Sequence, residues 1–453
     1  MNHLQRDLES LEELGTRVTQ FVTQFWTSLS QRPVSAGDRT TNSDTLPLNE
    51  SGFVAAMEEF EREIAPALSG SAGPRYWGFV TGGTTPAAMM GDWLASGVDQ
   101  NLSSAGDSIA SAVEVQVMGW LRELFDLPAE FFGVLTTGAT AANLLGVFCG
   151  RQHVGTQLGF NAAQQGLRQP VTVLSGSPHA SLIKSLGMAG LGHESWHGVA
   201  TLSGREAVDP SALDAALAQA GSSAFVVANA GTVTSTDFDD LTAIAEICRT
   251  HNSWLHVDGA FGLFARVADK KDVRLKGLEY ADSITCDGHK WLNVPYDCGF
   301  FFTRKPEVLS AACHVGAPYL ETQSQTPDFL SYGIENSRRF RALPLWFTLK
   351  AYGRSGVKTI VDNCLARARQ LADWLDTHPN YELLTPCHLN VVLFAHKHNP
   401  RNQELLTNLN SSGWVVLSPG TWQGRPGIRA AFSNWLTSPR DVEMVCSVLH
   451  QHS

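Results

Sequence analysis

No stretch of this chain approaches the roughly 18 consecutive apolar residues that a membrane-spanning helix requires. Met1 to Thr27 is amphipathic and mixed in charge, without the basic start and unbroken apolar run of a secretory signal. The 8 cysteines never fall in a C-x-x-C pair, so neither a four-thiolate zinc site nor a disulfide frame is indicated. Positive charge is scarce: 33 Lys and Arg stand against 44 Asp and Glu, a formal charge of −11. The basic residues gather only in the short run Ser337-Arg338-Arg339-Phe340-Arg341. Phosphate backbones are held by clustered cations, so neither nucleic acid nor a membrane is an expected partner. Repeats and low-complexity tracts are also lacking. The expectation is a cytoplasmic protein with reduced thiols.

What is present is an ordinary globular balance, 43% apolar and 17% charged over 453 residues, enough for two or three domains. Leu4, Leu8, Leu11, Leu14, Val18, Phe21, Val22 and Phe25 recur at helical spacing, and Phe53 to Ile64 repeats the pattern. Residues 1–75 therefore read as a helical arm. Short apolar runs then alternate with helical stretches: Val171 to Leu174, Ala224 to Ala228, Trp254 to Val257, Ser283 to Thr285 and Gly299 to Thr303. Between the second and third, Leu241 to Cys248 reads as a helix opened by Asp239 and Asp240. Such alternation predicts an α/β domain with a mostly parallel central sheet over residues 76–345. Residues 346–453, with strand-like Asn390 to Phe394 and Trp414 to Leu417, predict a small C-terminal α+β domain.

Ligands of open α/β sheets sit beyond the carboxyl ends of the strands, which directs attention to four places. Leu135-Thr136-Thr137-Gly138-Ala139-Thr140-Ala141-Ala142-Asn143 is a small-residue turn opening a helix, either a phosphate cradle or simply a turn. Leu255-His256-Val257-Asp258-Gly259-Ala260-Phe261-Gly262 ends a strand in an acid that needs a cationic partner or a capping role. Cys286-Asp287-Gly288-His289-Lys290-Trp291 places a lysine just past another strand, where removal from water lowers its pKa and makes it a nucleophile for a carbonyl. Ser177-Pro178-His179-Ala180-Ser181 offers an imidazole able to lie on a ring or to donate a proton. Each has a bland alternative; one cofactor explains all four.

Asp-Gly-His-Lys-Trp, preceded by His-Val-Asp-Gly-Ala-Phe-Gly, resembles the group II pyridoxal-phosphate-dependent amino-acid decarboxylases, such as the aromatic-L-amino-acid and glutamate decarboxylases. Gly73 to Thr81 and Ser337 to Trp346 extend the resemblance, which covers roughly residues 70 to 440. It implies the aspartate-aminotransferase-like fold type I and pyridoxal 5'-phosphate held as a Schiff base on Lys290. It implies that Asp258 pairs with the pyridinium nitrogen, while His179 stacks on one ring face and Ala260 packs the other. Gly138, Ala139 and Thr140 would hold the phosphate, aided by Thr232 and by Asp287 or His289, although a carboxylate at 287 repels a dianion. Arg429 would meet the substrate carboxylate, with Trp77, Phe79 and Thr81 near the substrate and Trp291 and Phe261 adding apolar wall. Tyr319 matches the family's loop tyrosine, which gives a proton to the α-carbon; a Phe there would point to the aldehyde-forming relatives. The implied activity is decarboxylation of an L-amino acid to amine and CO2 by a homodimer with shared sites. Alternatives are transamination, a lyase reaction, aldehyde-forming decarboxylation or, with Cys313 as its thiol, desulfuration.

A reading from another class comes from His193-Glu194-Ser195-Trp196-His197, which fits the H-E-x-x-H zinc-hydrolase signature. That signature works only on a helix, and Gly187, Gly190, Gly192 and Gly198 crowd this segment, so no metal is expected.

Overall fold

The computed structural model describes residues 2–37, 45–101, 108–314, 326–398 and 401–452. Seven strands form the main sheet: β1 Phe132–Thr136, β2 Thr172–Ser175, β3 Trp196–Gly198, β4 Ala224–Asn229, β5 Leu255–Asp258, β6 Ser283–Asp287 and β7 Gly299–Thr303. Their order is β1-β7-β6-β5-β4-β2-β3. The β2–β3, β2–β4, β4–β5 and β5–β6 pairs are parallel, and β7 runs antiparallel to both of its neighbours. Every residue of β4, β5, β6 and β7 is buried, the mark of strands covered on both faces. Phe300, Phe301 and Phe302 on β7 are fully buried, and truncating any of them to Ala removes about 3–5 kcal/mol.

Helices fill the crossovers. The one over Ala139–Gln157 is buried along most of its length and lies beneath the sheet's centre. The helix Leu241–Thr250 starts where Asp240 accepts the Ala243 N–H at 3.0 Å and buries Leu241, Ile244, Ala245 and Cys248. Asp239 takes no part in that cap. It is buried and instead accepts the N–H groups of Val208 and Asn229, both at 2.7 Å, joining two loops.

Downstream, a helix over Ala342–Thr377 bends at Gly353, whose φ of 56° lies in the left-handed region. It leads to a four-stranded antiparallel sheet of β8 Tyr381–Leu383, β9 Val391–His396, β10 Ser418–Trp422 and β11 Arg425–Ala431, ordered β10-β11-β9-β8. The strand expected at Trp414 to Leu417 thus begins at Ser418, and Val416 makes only an isolated bridge to Tyr76. At the other terminus, helices span His3–Glu9, Leu11–Ser28 and Gly52–Glu59, so the first expected helix is broken at Ser10. Leu4, Leu8 and Leu11 are 79%, 66% and 64% exposed, leaving the first part of the arm's apolar stripe uncovered, whereas Leu14 is buried.

Residues 75–85 tie the two sheets together. Arg75 pairs with Asp441 at 3.1 Å and Trp77 N–H bonds Val416 O at 2.9 Å, both in the C-terminal unit. Gly83 N–H and Thr85 N–H bond the side chain and carbonyl of Asn293, in the β6–β7 connection. The expected boundary after residue 75 therefore falls at the start of a strap shared by both units.

Candidate active site

The carboxyl ends of β1, β4, β5 and β6 open into a cavity of about 600 Å³, within the range of a small-molecule cleft. Lys290 projects into it from the β6–β7 connection. Its Nζ lies 2.9 Å from Asp287 Oδ2. Burial pushes the Lys290 ammonium down, but Asp287, by charge and hydrogen bond, together with Asp258, raises it above its ordinary value. The sequence argument for a lowered lysine pKa therefore fails on the charge of the residue three positions earlier.

The other Asp287 oxygen accepts the Ala139 N–H at 2.5 Å, at the start of the helix Ala139–Gln157. Negative charge at a helix N-terminus is favourable, so this carboxylate anchors the turn as well as the lysine. A side chain at Gly138 would come 2.9 Å from the His289 ring, which explains the bare residue there. Thr140 and Ala141, in the first turn, have amides with no partner inside the helix and line the same wall.

Asp258 ends β5 and is 8% exposed. Its Oδ2 accepts from Asn143 Nδ2 at 2.8 Å and its Oδ1 from Ala260 N–H at 3.1 Å. His179 caps the helix Ala180–Met188: its Nδ1 accepts the Ser181 N–H at 3.1 Å and lies 2.7 Å from Ser181 Oγ. With Nδ1 accepting, the ring proton belongs on Nε2. Burial in the cavity wall pushes this imidazole below its ordinary value, Asp258 opposing, so it is neutral at pH 7. His289, also pushed down first by burial, lies 4.6 Å from the Tyr296 ring between centroids.

Arg429 on β11 reaches the cavity with only 5% exposure, and its Nε and Nη2 have no hydrogen-bond partner among the described residues. Burial pushes its pKa down to about 10, Glu206 opposing, so it remains cationic at neutral pH. An unpaired buried guanidinium is costly unless an anion arrives. Asn229 Nδ2, at the end of β4, is likewise buried without a partner.

Phe79, Thr81, Ala260 and Phe261 line the cavity as the sequence suggested. Thr232 does not: its hydroxyl is buried and engaged by Glu206 Oε2 at 2.5 Å, while Gly231 and Val233 form the wall. Trp77 does not either. It is 1% exposed, packs on Phe432 at 4.5 Å and gives its indole N–H to Pro74 O. Trp291 is fully buried against Phe264. Tyr319 lies outside the described residues. The H-E-x-x-H segment divides into a 3₁₀ turn at His193–Ser195 and strand β3, so the helical face that zinc ligation needs does not form. Cys313 is half-buried at the end of the helix Pro306–Cys313 and is not on the cavity wall.

Residues 39–397 match the pyridoxal-dependent decarboxylase conserved domain. The chain belongs to that family. As a pyridoxal-phosphate-dependent amino-acid decarboxylase it has relatives along nearly its whole length. It is 26% identical to a phenylacetaldehyde synthase of Arabidopsis thaliana over 99% of this chain and 96% of that one. It is also 26% identical to an aromatic-L-amino-acid decarboxylase of Bacillus atrophaeus, over 97% and 95%. A solved structure of Oryza sativa TDC with PLP and tryptamine superposes with a TM-score of 0.92 at 22% identity, covering 98% and 97% of the two chains. The decarboxylase thus has the fold type I architecture, a mostly parallel sheet with a small antiparallel C-terminal unit.

The residues present fit pyridoxal phosphate. A helix N-terminus with free amides suits the phosphate, a lysine suits the aldehyde, and a buried acid suits the ring nitrogen. The residues that sequence reasoning left without a role are Asn143, Ser181, His256 and Asn229. All stood in or beside quoted segments, but nothing local distinguishes a buried Asn or His with partners more than a hundred positions away.

Proposed function

We propose that this decarboxylase converts an L-amino acid with an aromatic or apolar side chain to its amine and CO2. Pyridoxal phosphate, when bound, supplies the sink for the electrons that the departing CO2 leaves at the α-carbon. Lys290 would hold its aldehyde, Asp258 would pair with its ring nitrogen, and His179 and Ala260 would flank its ring. The phosphate would sit against Gly138 and the first helical turn, where the Thr140 amide has no partner inside the helix and the Ala139 N–H is already held by Asp287. Asp287 positions the lysine and the helix start rather than meeting the dianion.

The observation that carries this reading is Arg429, a buried cation with unpartnered donors on the wall that also holds Lys290 and Asp258. A guanidinium there can grip the substrate carboxylate and fix which α-carbon bond stands across the ring. Tyr319 hydroxyl gives the proton to the α-carbon; support for it is the tyrosine of the loop sequence. Tyr76, Phe79, Val80, Val233 and Tyr296 supply apolar and aromatic wall for the side chain. Several relatives are named for tryptophan, tyrosine or DOPA.

The same reading includes a homodimer, because Phe79 is 66% exposed at the cavity and Leu4, Leu8 and Leu11 of the arm lie open. A cytoplasmic setting is supported by free thiols at all eight cysteines. Incubation of the holoenzyme with a panel of L-amino acids tests the reaction. Equal amounts of CO2 and amine from aromatic substrates are expected. Keto acids would replace decarboxylation by transamination, and aldehyde with consumption of oxygen would place the chain with the aldehyde synthases.

A further inference from the structure

Behind the cavity wall lies a chain of buried polar groups that ends at Asp258. His256 is the second residue of β5 and is fully buried, an environment in which an imidazole must find partners for both nitrogens. Its Nε2 lies 3.0 Å from Asn143 Oδ1 and its Nδ1 2.8 Å from Ser283 Oγ.

The Asn143 amide is the joint. Its Nδ2 donates to Asp258 Oδ2 at 2.8 Å and to Ser181 Oγ at 3.1 Å. A carboxylate only accepts, so the nitrogen must face Asp258, and the amide oxygen is left facing the imidazole. His256 therefore donates from Nε2 and accepts at Nδ1 from the Ser283 hydroxyl. The Ser283 oxygen takes the Trp254 indole N–H at 3.0 Å. Direction is thus set at every link from Trp254 through Ser283, His256 and Asn143 to Asp258.

The fold also makes room for this ring. A side chain at Gly146, inside the helix Ala139–Gln157, would meet His256 Cε1 at 2.4 Å. Glycine is unfavourable in a helix interior, and here its absence of a side chain admits the imidazole. The groups facing His256 are Asn143 from that helix, Ser283 and Thr285 from β6, Phe301 from β7 at 6.2 Å, and Asp258 from its own strand. Of these only Asp258 carries charge, and burial keeps the imidazole neutral.

We propose that His256 is a positioning residue that, through Asn143, holds the Asp258 carboxylate aimed at the ring nitrogen of the coenzyme. The second Asn143 N–H reaches Ser181, beside His179, so one amide registers both residues that meet the ring. The proposal rests on the role of Asp258 given above.

The test uses the full-length protein carrying His256→Leu, His256→Gln, Asn143→Ala or Asp258→Asn. Pyridoxal phosphate affinity of the apo-protein and the pH titration of the holoenzyme's visible absorption are measured, with circular dichroism to confirm folding. Asn143→Ala removes the hydrogen bond to the Asp258 carboxylate and His256→Leu releases the amide that makes it, so both are expected to weaken affinity about tenfold. The spectral titration shifts to lower pH, and kcat falls more than KM changes. His256→Gln, which can still donate to Asn143, recovers most of the affinity. Folded His256→Leu with unchanged affinity and spectrum overturns the proposal if Asp258→Asn is impaired; if Asp258→Asn is also unchanged, the role of Asp258 itself falls. Should His256→Leu fail to fold, Asn143→Ala decides by the same two readouts.

Discussion

Asp287 Oδ2 lies 2.9 Å from Lys290 Nζ, while Oδ1 of the same carboxylate holds the Ala139 N–H. One side chain thus fixes both Lys290 and the start of the helix Ala139–Gln157. Its charge sets the protonation of the lysine, and that leads to the first prediction.

Asp287→Asn removes the charge that holds the Lys290 ammonium above its ordinary value. The neutral amine fraction at pH 7 rises about tenfold for each unit by which the lysine pKa falls. Stopped-flow absorption should show faster capture of pyridoxal phosphate by the variant apo-protein. A rate equal to or below the wild type would contradict this account.

Arg429 should be the residue that tells a carboxylate-bearing substrate from its decarboxylated amine. Arg429→Met is expected to lower kcat/KM about a hundredfold, the scale of one charge-assisted pair. Arg429→Lys should restore only part of that, because an ammonium cannot present two parallel donors. Steady-state kinetics on the best substrate, with amine product binding little affected, provides the check.

How far such residues could be read in advance depended on where their partners lie. Lys290, Asp258, His179 and Gly138 each lie at or after the end of an apolar run, and strand ends in an α/β sheet open on its cleft, so position along the chain was enough to bring them to one cavity. Asn143 and His256 are different: their meaning comes from a contact across 113 positions, invisible to local pattern. Trp77 misled because aromaticity suits a pocket wall and a core equally, and here Phe432 and the Pro74 carbonyl claim the indole. Asp239 misled for a related reason, since an acid before a helix can cap it or, as here, join loops. The parallel sheet was legible from its buried runs, whereas the beginning of β10 was displaced by the bridge between Val416 and Tyr76.

His256 gives stability a pH dependence of definite sign. Its folded pKa, pushed down to about 4 by burial, lies below the ordinary 6.5. Between those values the unfolded chain binds a proton that the folded chain refuses, so stability is whole above about pH 6.5 and declines as pH falls towards 4. The gap corresponds to roughly 3 kcal/mol at most. Urea titrations across this window should show a shallower acid decline for His256→Gln than for the wild type.

The fully buried pair of Glu114 and Arg338, 2.9 Å apart, is a structural lock. Arg338 also bonds the Leu135 carbonyl at 2.7 Å, at the strand leading to Gly138. Glu114→Ala leaves the guanidinium buried without its counter-charge and should destabilise the fold by about 3–5 kcal/mol. A denaturant midpoint unchanged from wild type would show that water or a rearranged partner compensates.

Asn293 has a wider consequence. Its side chain accepts from Gly83 and Trp435 and donates to the carbonyls of Trp291 and Ser433. Three separately encoded stretches of polypeptide are therefore knotted three residues past the lysine. The strap at Gly83, the C-terminal segment at Ser433 and Trp435 and the connection that carries Lys290 are fastened at a single amide, so the cavity wall is framed by both sheets through one side chain.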